Sequence, residues 1–155
     1  MGLDTSHNCW HSSYTFFARW RNALADALGW EHEDRGMGTT DYVIPEGRVP
    51  QQDPPGSVTY TEDDETYTVD YSTSYDNSVW LGHWDVDPED AIDVLMVHSD
   101  CEGEIPWRFT EPLARRLHEI MPLLDEGQGE WQEITLQFID GLLDAHRRGE
   151  AVDFH

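Results

Sequence analysis

The apolar run Ile92 to Val97 constrains the fold of this chain more than any other stretch, because it has to be buried and it leads straight into a dense set of reactive side chains. Asp87-Pro88-Glu89-Asp90 precedes it as a turn, and a run of this length between turns reads as a central strand, Ile92 to His98, covered on both faces. Beyond it, His98-Ser99-Asp100-Cys101-Glu102-Gly103-Glu104 brings together an imidazole, a hydroxyl, a thiol and three carboxylates. The chain's other cysteine also lies in a cluster, Ser6-His7-Asn8-Cys9-Trp10-His11. The spacing leads us to expect that the start of the chain folds back onto the turn after the central strand, so that the two clusters line one pocket.

The rest of the chain supplies the surroundings of that pocket. Phe16, Phe17, Trp20, Leu24 and Leu28 recur at helical spacing, which predicts a helix from Ser12 or Ser13 as N-cap to Leu28, stopped by Gly29. Residues 31–57 are rich in Gly, Pro, Asp and Gln and read as a long surface loop, with Tyr42 to Ile44 as a short strand. Val58 to Tyr60 and Thr66 to Tyr71 read as two antiparallel strands around the acidic turn Thr61 to Glu65. Asp76-Asn77 turns the chain into a further extended stretch, Val79 to Trp84. Thr110 reads as the N-cap of a second helix that Pro122 ends, and a third runs from about Glu130 to Arg148, with Gly149 as its stop. Val152 to His155 is a tail or an edge strand. The expected fold class is α+β: one domain over residues 1–155, with an antiparallel sheet of three to five strands packed by three helices.

Composition decides the kind of surface. Hydrophobic residues make up only 38% of the chain, but seven Trp, six Tyr and five Phe supply enough apolar area for a folded core. Asp and Glu number 32 against nine basic residues, all Arg, for a formal net charge of −23. That balance excludes ordinary nucleic-acid binding, which needs a cationic face. It suits a salt-solvated surface, a mimic of nucleic-acid charge, or a plain acidic protein. The segment up to Trp30 is the neutral exception, with Asp4 and Asp26 against Arg19 and Arg21, and there an anionic ligand would be tolerated. The N-terminus does not resemble a signal peptide and no run has the length of a membrane span, so an intracellular protein without membrane contact is expected.

Three chemistries fit the clusters. Cys9, His11, His98 and Cys101 would supply two thiolates and two imidazoles, a set that suits tetrahedral zinc, although Cys-x-His with His-x-x-Cys is not a paired Cys-x-x-Cys. Cys101 could act as a catalytic nucleophile activated by His98, His7 or His11, with a carboxylate orienting the imidazole, although the neighbouring carboxylates work against a thiolate. His7, Trp10, Tyr14, Arg19, Asp100 and Glu102 could line a ligand pocket in which rings stack on a small anion such as a nucleotide. The plain structural alternative is that the rings are core, that Cys101 is a small hydrophobe at a strand end, and that residues 99–103 are only a turn.

At these residues the chain resembles a group of small phage and prophage proteins of high-GC or salt-loving hosts. The resemblance is carried by Ser6-His7-Asn8-Cys9-Trp10-His11 ahead of an aromatic Trp-Arg helix, by His98-Ser99-Asp100-Cys101-Glu102-Gly103, and by the ending Val152-Asp153-Phe154-His155. It implies no activity. It does imply a host-directed partner, and the expected function is a small acidic binding protein, with zinc in a pocket built from both clusters. The alternatives are an acidic inhibitor of a host nucleic-acid enzyme or a protein that sequesters a nucleotide signal, and after these a Cys/His hydrolase.

Overall fold

The computed structural model describes residues 2–36, 39–42, 57–70, 81–84, 86–124 and 130–155. Its elements in chain order are β1 (Gly2–Asp4), β2 (His11–Ser13), α1 (Tyr14–Leu28), β3 (His32–Gly36), β4 (Thr39–Tyr42), β5 (Ser57–Glu62), β6 (Glu65–Asp70), α2 (Ile92–Met96), β7 (Gly103–Ile105), α3 (Trp107–Ile120), α4 (Trp131–Arg148) and β8 (Val152–Phe154). The class is mixed helix and strand, as expected of α+β. The sheet is smaller than expected: among the described residues every ladder is an antiparallel pair, β1–β2, β3–β4, β5–β6 and β7–β8.

Helix α1 follows from its ends. The Ser13 side chain accepts from Phe16 N at 3.1 Å, and Gly29, with φ 73°, closes the last turn in the left-handed region. The buried face carries Phe17, Trp20 and Leu24, and Trp20 Nε1 donates to Thr135 Oγ1 at 2.9 Å, which ties α1 to α4. Helix α4 keeps its predicted bounds within a residue. Helix α3 starts three residues before Thr110, whose hydroxyl donates to Trp107 O at 2.6 Å and so sits inside the first turn instead of capping it.

The stretch Ile92 to Met96 is a short helix, not the expected strand. All five of its residues are buried, and Asp90 Oδ1 accepts from Ile92 N at 3.1 Å to start the turn. A short apolar run reads alike in both conformations, and only its neighbours decide between them. The extended partner of the chain's end is instead Gly103–Ile105.

Hairpin β5–β6 forms where two strands were expected, but with a shorter turn: Thr61, Glu62 and Glu65 are paired and only Asp63-Asp64 lie between the strands. Asp63 and Asp64 both have positive φ, as a two-residue hairpin turn requires. The loop expected over 31–57 begins with a hairpin, β3–β4, because Tyr42 is buried against α1 and its hydroxyl donates to Asn22 Oδ1 at 2.7 Å. Of the extended stretch Val79 to Trp84, residues 79–80 lie outside the described residues, and Leu81-Gly82 forms a turn. Val43, Ile44, Asp53 to Gly56, Tyr71, Asp76 and Asn77 also lie outside them. No described helix is long and apolar enough to cross a membrane.

Candidate functional site

Strand β8 decides how the two clusters relate. Phe154 faces Thr5 through an isolated antiparallel bridge on one side and Gly103 of β7 on the other. Two neighbouring pairings put Thr5 and Gly103 about 10 Å apart with the strand between them. The N-terminal cluster and the 98–104 turn therefore flank the chain's end, which is a paired strand and not a loose tail.

On one side, Cys9 is 1% exposed. Burial pushes its thiol up to about 12, with a smaller opposing effect from its bond to the Thr5 side chain. Trp10 is equally enclosed, stacked on Trp20 at 5.3 Å and edge-on to Phe17 at 5.0 Å, so the ring expected to stack on a ligand belongs to the core. His11 points outward and pairs with Asp4, and Tyr14 and Arg19 lie on the less buried side of α1.

On the other side, Cys101 is exposed and its polar neighbour is Ser99 Oγ, 3.4 Å from the sulfur. The same oxygen accepts from the amides of Cys101 and Glu102 at 3.2 and 3.3 Å, which leaves its own hydrogen for the sulfur. Ser99 to Glu102 is thus a side-chain-capped turn. His98 is buried against the Phe154 ring at 4.2 Å, with Nδ1 2.7 Å from Ser99 O and Nε2 3.0 Å from Glu104 O. Burial holds its imidazole below the ordinary range against the pull of those two carbonyls, and the Arg21 guanidinium adds to the lowering. Both ring nitrogens are engaged by backbone, and no contact among the described residues joins the ring to Cys101. Arg21 itself is buried and donates to His98 O at 2.8 Å and Leu95 O at 3.3 Å. Asp100 is half-buried and Glu102 exposed.

The residues expected to share zinc are thus distributed between a sealed thiol, an exposed ion pair, a backbone-bound imidazole and a surface turn. Among the described residues, no three His, Cys, Asp or Glu side chains are placed to hold one metal ion.

What the N-terminal cluster does build is a groove with α4. His7 and Asn8 both adopt left-handed backbone conformations, φ 56° and 57°, at roughly 1–2 kcal/mol for each L-residue. The C-terminal part of the chain holds them there. His7 Nδ1 lies 2.8 Å from Asp144 Oδ2 and its Nε2 lies 3.1 Å from Glu150 Oε2. Gln137 Nε2 donates to Asn8 O at 3.1 Å, and Asp153 N donates to Ser6 Oγ at 2.9 Å. The His7 contact, and then Arg148, hold the Asp144 carboxyl below the usual carboxylate range. Gly141 is what lets the turn come so close, because a Cβ there would fall within 3.0 Å of Cys9 Sγ, Cys9 Cα and His7 O.

The resulting groove has a volume of about 420 Å³ and is lined by His7, Asn8, Glu133, Leu136, Gln137, Asp140 and Gly141. No family model, curated protein or solved structure matches this chain. Sequence reasoning found His7 but missed the α4 wall. A glycine in the middle of the predicted helix Glu130 to Arg148 was the available signal, since such a glycine marks a close approach of another segment.

Proposed function

We propose that this chain is an acidic binding protein that docks on a cationic surface of another protein. The observation that carries this reading is where the arginines go. Among the described side chains, Arg21 is buried under carbonyls, Arg108 pairs with Asp87, Arg115 with Glu111, Arg116 with Asp90 and Glu119, and Arg147 and Arg148 with Asp144. Arg19 alone among them is exposed without an internal partner. Glu89, Glu102, Glu104, Glu130, Glu133, Asp140 and Asp153, by contrast, carry no ion pair among the described residues. The outward field is therefore negative, which steers cationic partners and repels polyanions.

Glu104 and Asp153 also stand opposite each other in the β7–β8 ladder. Like charges directly opposed in a sheet destabilise it, so this charge is kept at a cost to folding. The partner class that fits is a protein whose cationic face serves nucleic acid.

The test is fluorescence anisotropy with a short labelled peptide of alternating arginine and alanine, repeated across a salt series. Binding that is measurable at roughly 0.1 M ionic strength and weakens steeply with added salt is the expected result. No binding at that ionic strength refutes the reading and leaves the acidic surface to salt adaptation.

A further inference from the structure

We infer, on the strength of the binding role just proposed, that the groove between the His7-Asn8 turn and α4 is the specific seat of that role, and that it takes an arginine or lysine side chain from a basic segment of the partner protein.

The argument begins with what is unspent along one face of α4. Glu133, Leu136, Gln137, Asp140 and Asp144 follow one another at helical spacing on the side that meets the turn. At the C-terminal end of this stripe, Asp144 is saturated by His7, Arg147 and Arg148. The two carboxylates nearer the middle, Glu133 and Asp140, have no cationic partner among the described residues and lie about 10 Å apart along the helix, two turns from one another. Between them sits Leu136, 46% exposed. Gln137 spends its amide hydrogen on Asn8 O, which leaves its own oxygen as a further acceptor.

An aliphatic patch flanked by acceptors matches one kind of side chain. Lysine and arginine lay an apolar stem along hydrophobic surface and keep a charged head on carboxylates. A phosphate or carboxylate ligand would meet Glu133 and Asp140 and be repelled. A neutral apolar segment would strip water from two charges with nothing to compensate them. At about 420 Å³ the groove is at the small end of ligand clefts, which run from roughly 300 to 1,000 Å³, so one long side chain with its flanking backbone suits it. The wall opposite α4 is already formed, fixed through His7 to Asp144 and Glu150, so little ordering remains to be done on binding.

The test uses the same arginine–alanine peptide with single variants of the full chain. Asp140→Asn and Glu89→Gln each remove one exposed carboxylate, the first in the groove and the second outside it. Leu136→Ser changes no charge at all. Melting temperature of each variant confirms folding. If the groove is the seat, Asp140→Asn and Leu136→Ser each weaken binding about tenfold, worth 1.4 kcal/mol, while Glu89→Gln changes it less than about twofold. If Asp140→Asn and Glu89→Gln weaken binding alike and Leu136→Ser leaves it unchanged, the groove assignment is overturned while the acidic binding role survives. If the wild-type chain fails to bind the peptide at low salt, both are overturned.

Discussion

Cys9 and Cys101 lie in clusters of nearly the same composition, each with a histidine and a serine within three residues, yet their surroundings differ in kind. Cys9 is sealed by packing: its sulfur lies against a glycine of α4, and its neighbours His7 and Asn8 adopt left-handed conformations. Cys101 sits in an exposed turn held by a serine hydroxyl. The two histidines differ in the same way. His7 is held by carboxylates of distant residues, and His98 by carbonyls of its own turn and the next strand. Similar residue types mark a long-range contact in one case and a local turn in the other. The groove accordingly belongs to the first cluster alone.

The largest expected expression of this contrast is thiol reactivity. With its thiol raised from an ordinary 9.0 to about 12, Cys9 has roughly a thousandfold less thiolate at neutral pH than an ordinary cysteine. Iodoacetamide should therefore modify Cys101 in the native protein and Cys9 only after denaturation, as read by peptide mass. Equal labelling of both in the native state would erase the distinction between the clusters.

Next comes packing under Cys9. Gly141→Ala adds a methyl within 3.0 Å of the Cys9 sulfur and the His7 carbonyl, and an overpacked, rigid site of this kind costs about 3 kcal/mol. Urea unfolding should show that loss. Cys9→Ala in the same background should restore part of it but not all, because the His7 carbonyl stays in place. A neutral Gly141→Ala would mean that the turn is not seated on α4.

The smallest effect is on the other side of β8. Burial lowers the proton affinity of His98, so the unfolded chain takes up a proton that the folded one refuses. This contribution to stability is intact above the ordinary histidine value of 6.5 and is lost as pH falls below it. His98→Phe should flatten that part of the stability profile, measured as the pH dependence of the urea midpoint relative to wild type. The Asp144 carboxyl, lowered by its bond to His7, contributes stability that is lost only below about its ordinary 3.8. The two sides of the chain's end should therefore give separate acid limbs, and an unchanged slope in His98→Phe would show that His98 is not the group responsible for the upper one.

Legibility in the sequence followed the range of the interactions. Helix α1 was readable to a residue because Ser13 and Gly29 are local signals. The same was true of the end of α4 at Gly149, whereas the hairpin was legible only as two strands about an acidic turn, because the ladder continues to Glu62 and Glu65 and leaves Asp63-Asp64 alone in the turn. Ile92 to Met96 was misread because a short apolar segment carries no period long enough to separate helix from strand. Hairpin β3–β4 was missed because Tyr42 is held by Asn22 and the α1 face, contacts that no local pattern announces. Of the expected site residues, His7 lines the groove, while Trp10 went to the core and His98 to its own turn.

By itself the sequence determined both ends of α1, the end of α4, the presence of the β5–β6 hairpin and a composition dominated by carboxylate, because each depends on residues close in the chain or on a simple sum of charge. Only the tertiary structure decided which groups meet. His7 meets Asp144 across a separation of 137 residues and Phe154 slides between the two cysteine clusters. Such contacts are set by how whole elements pack, through a missing methyl at Gly141 and a paired strand at the chain's end, and side-chain spacing along the chain does not encode them.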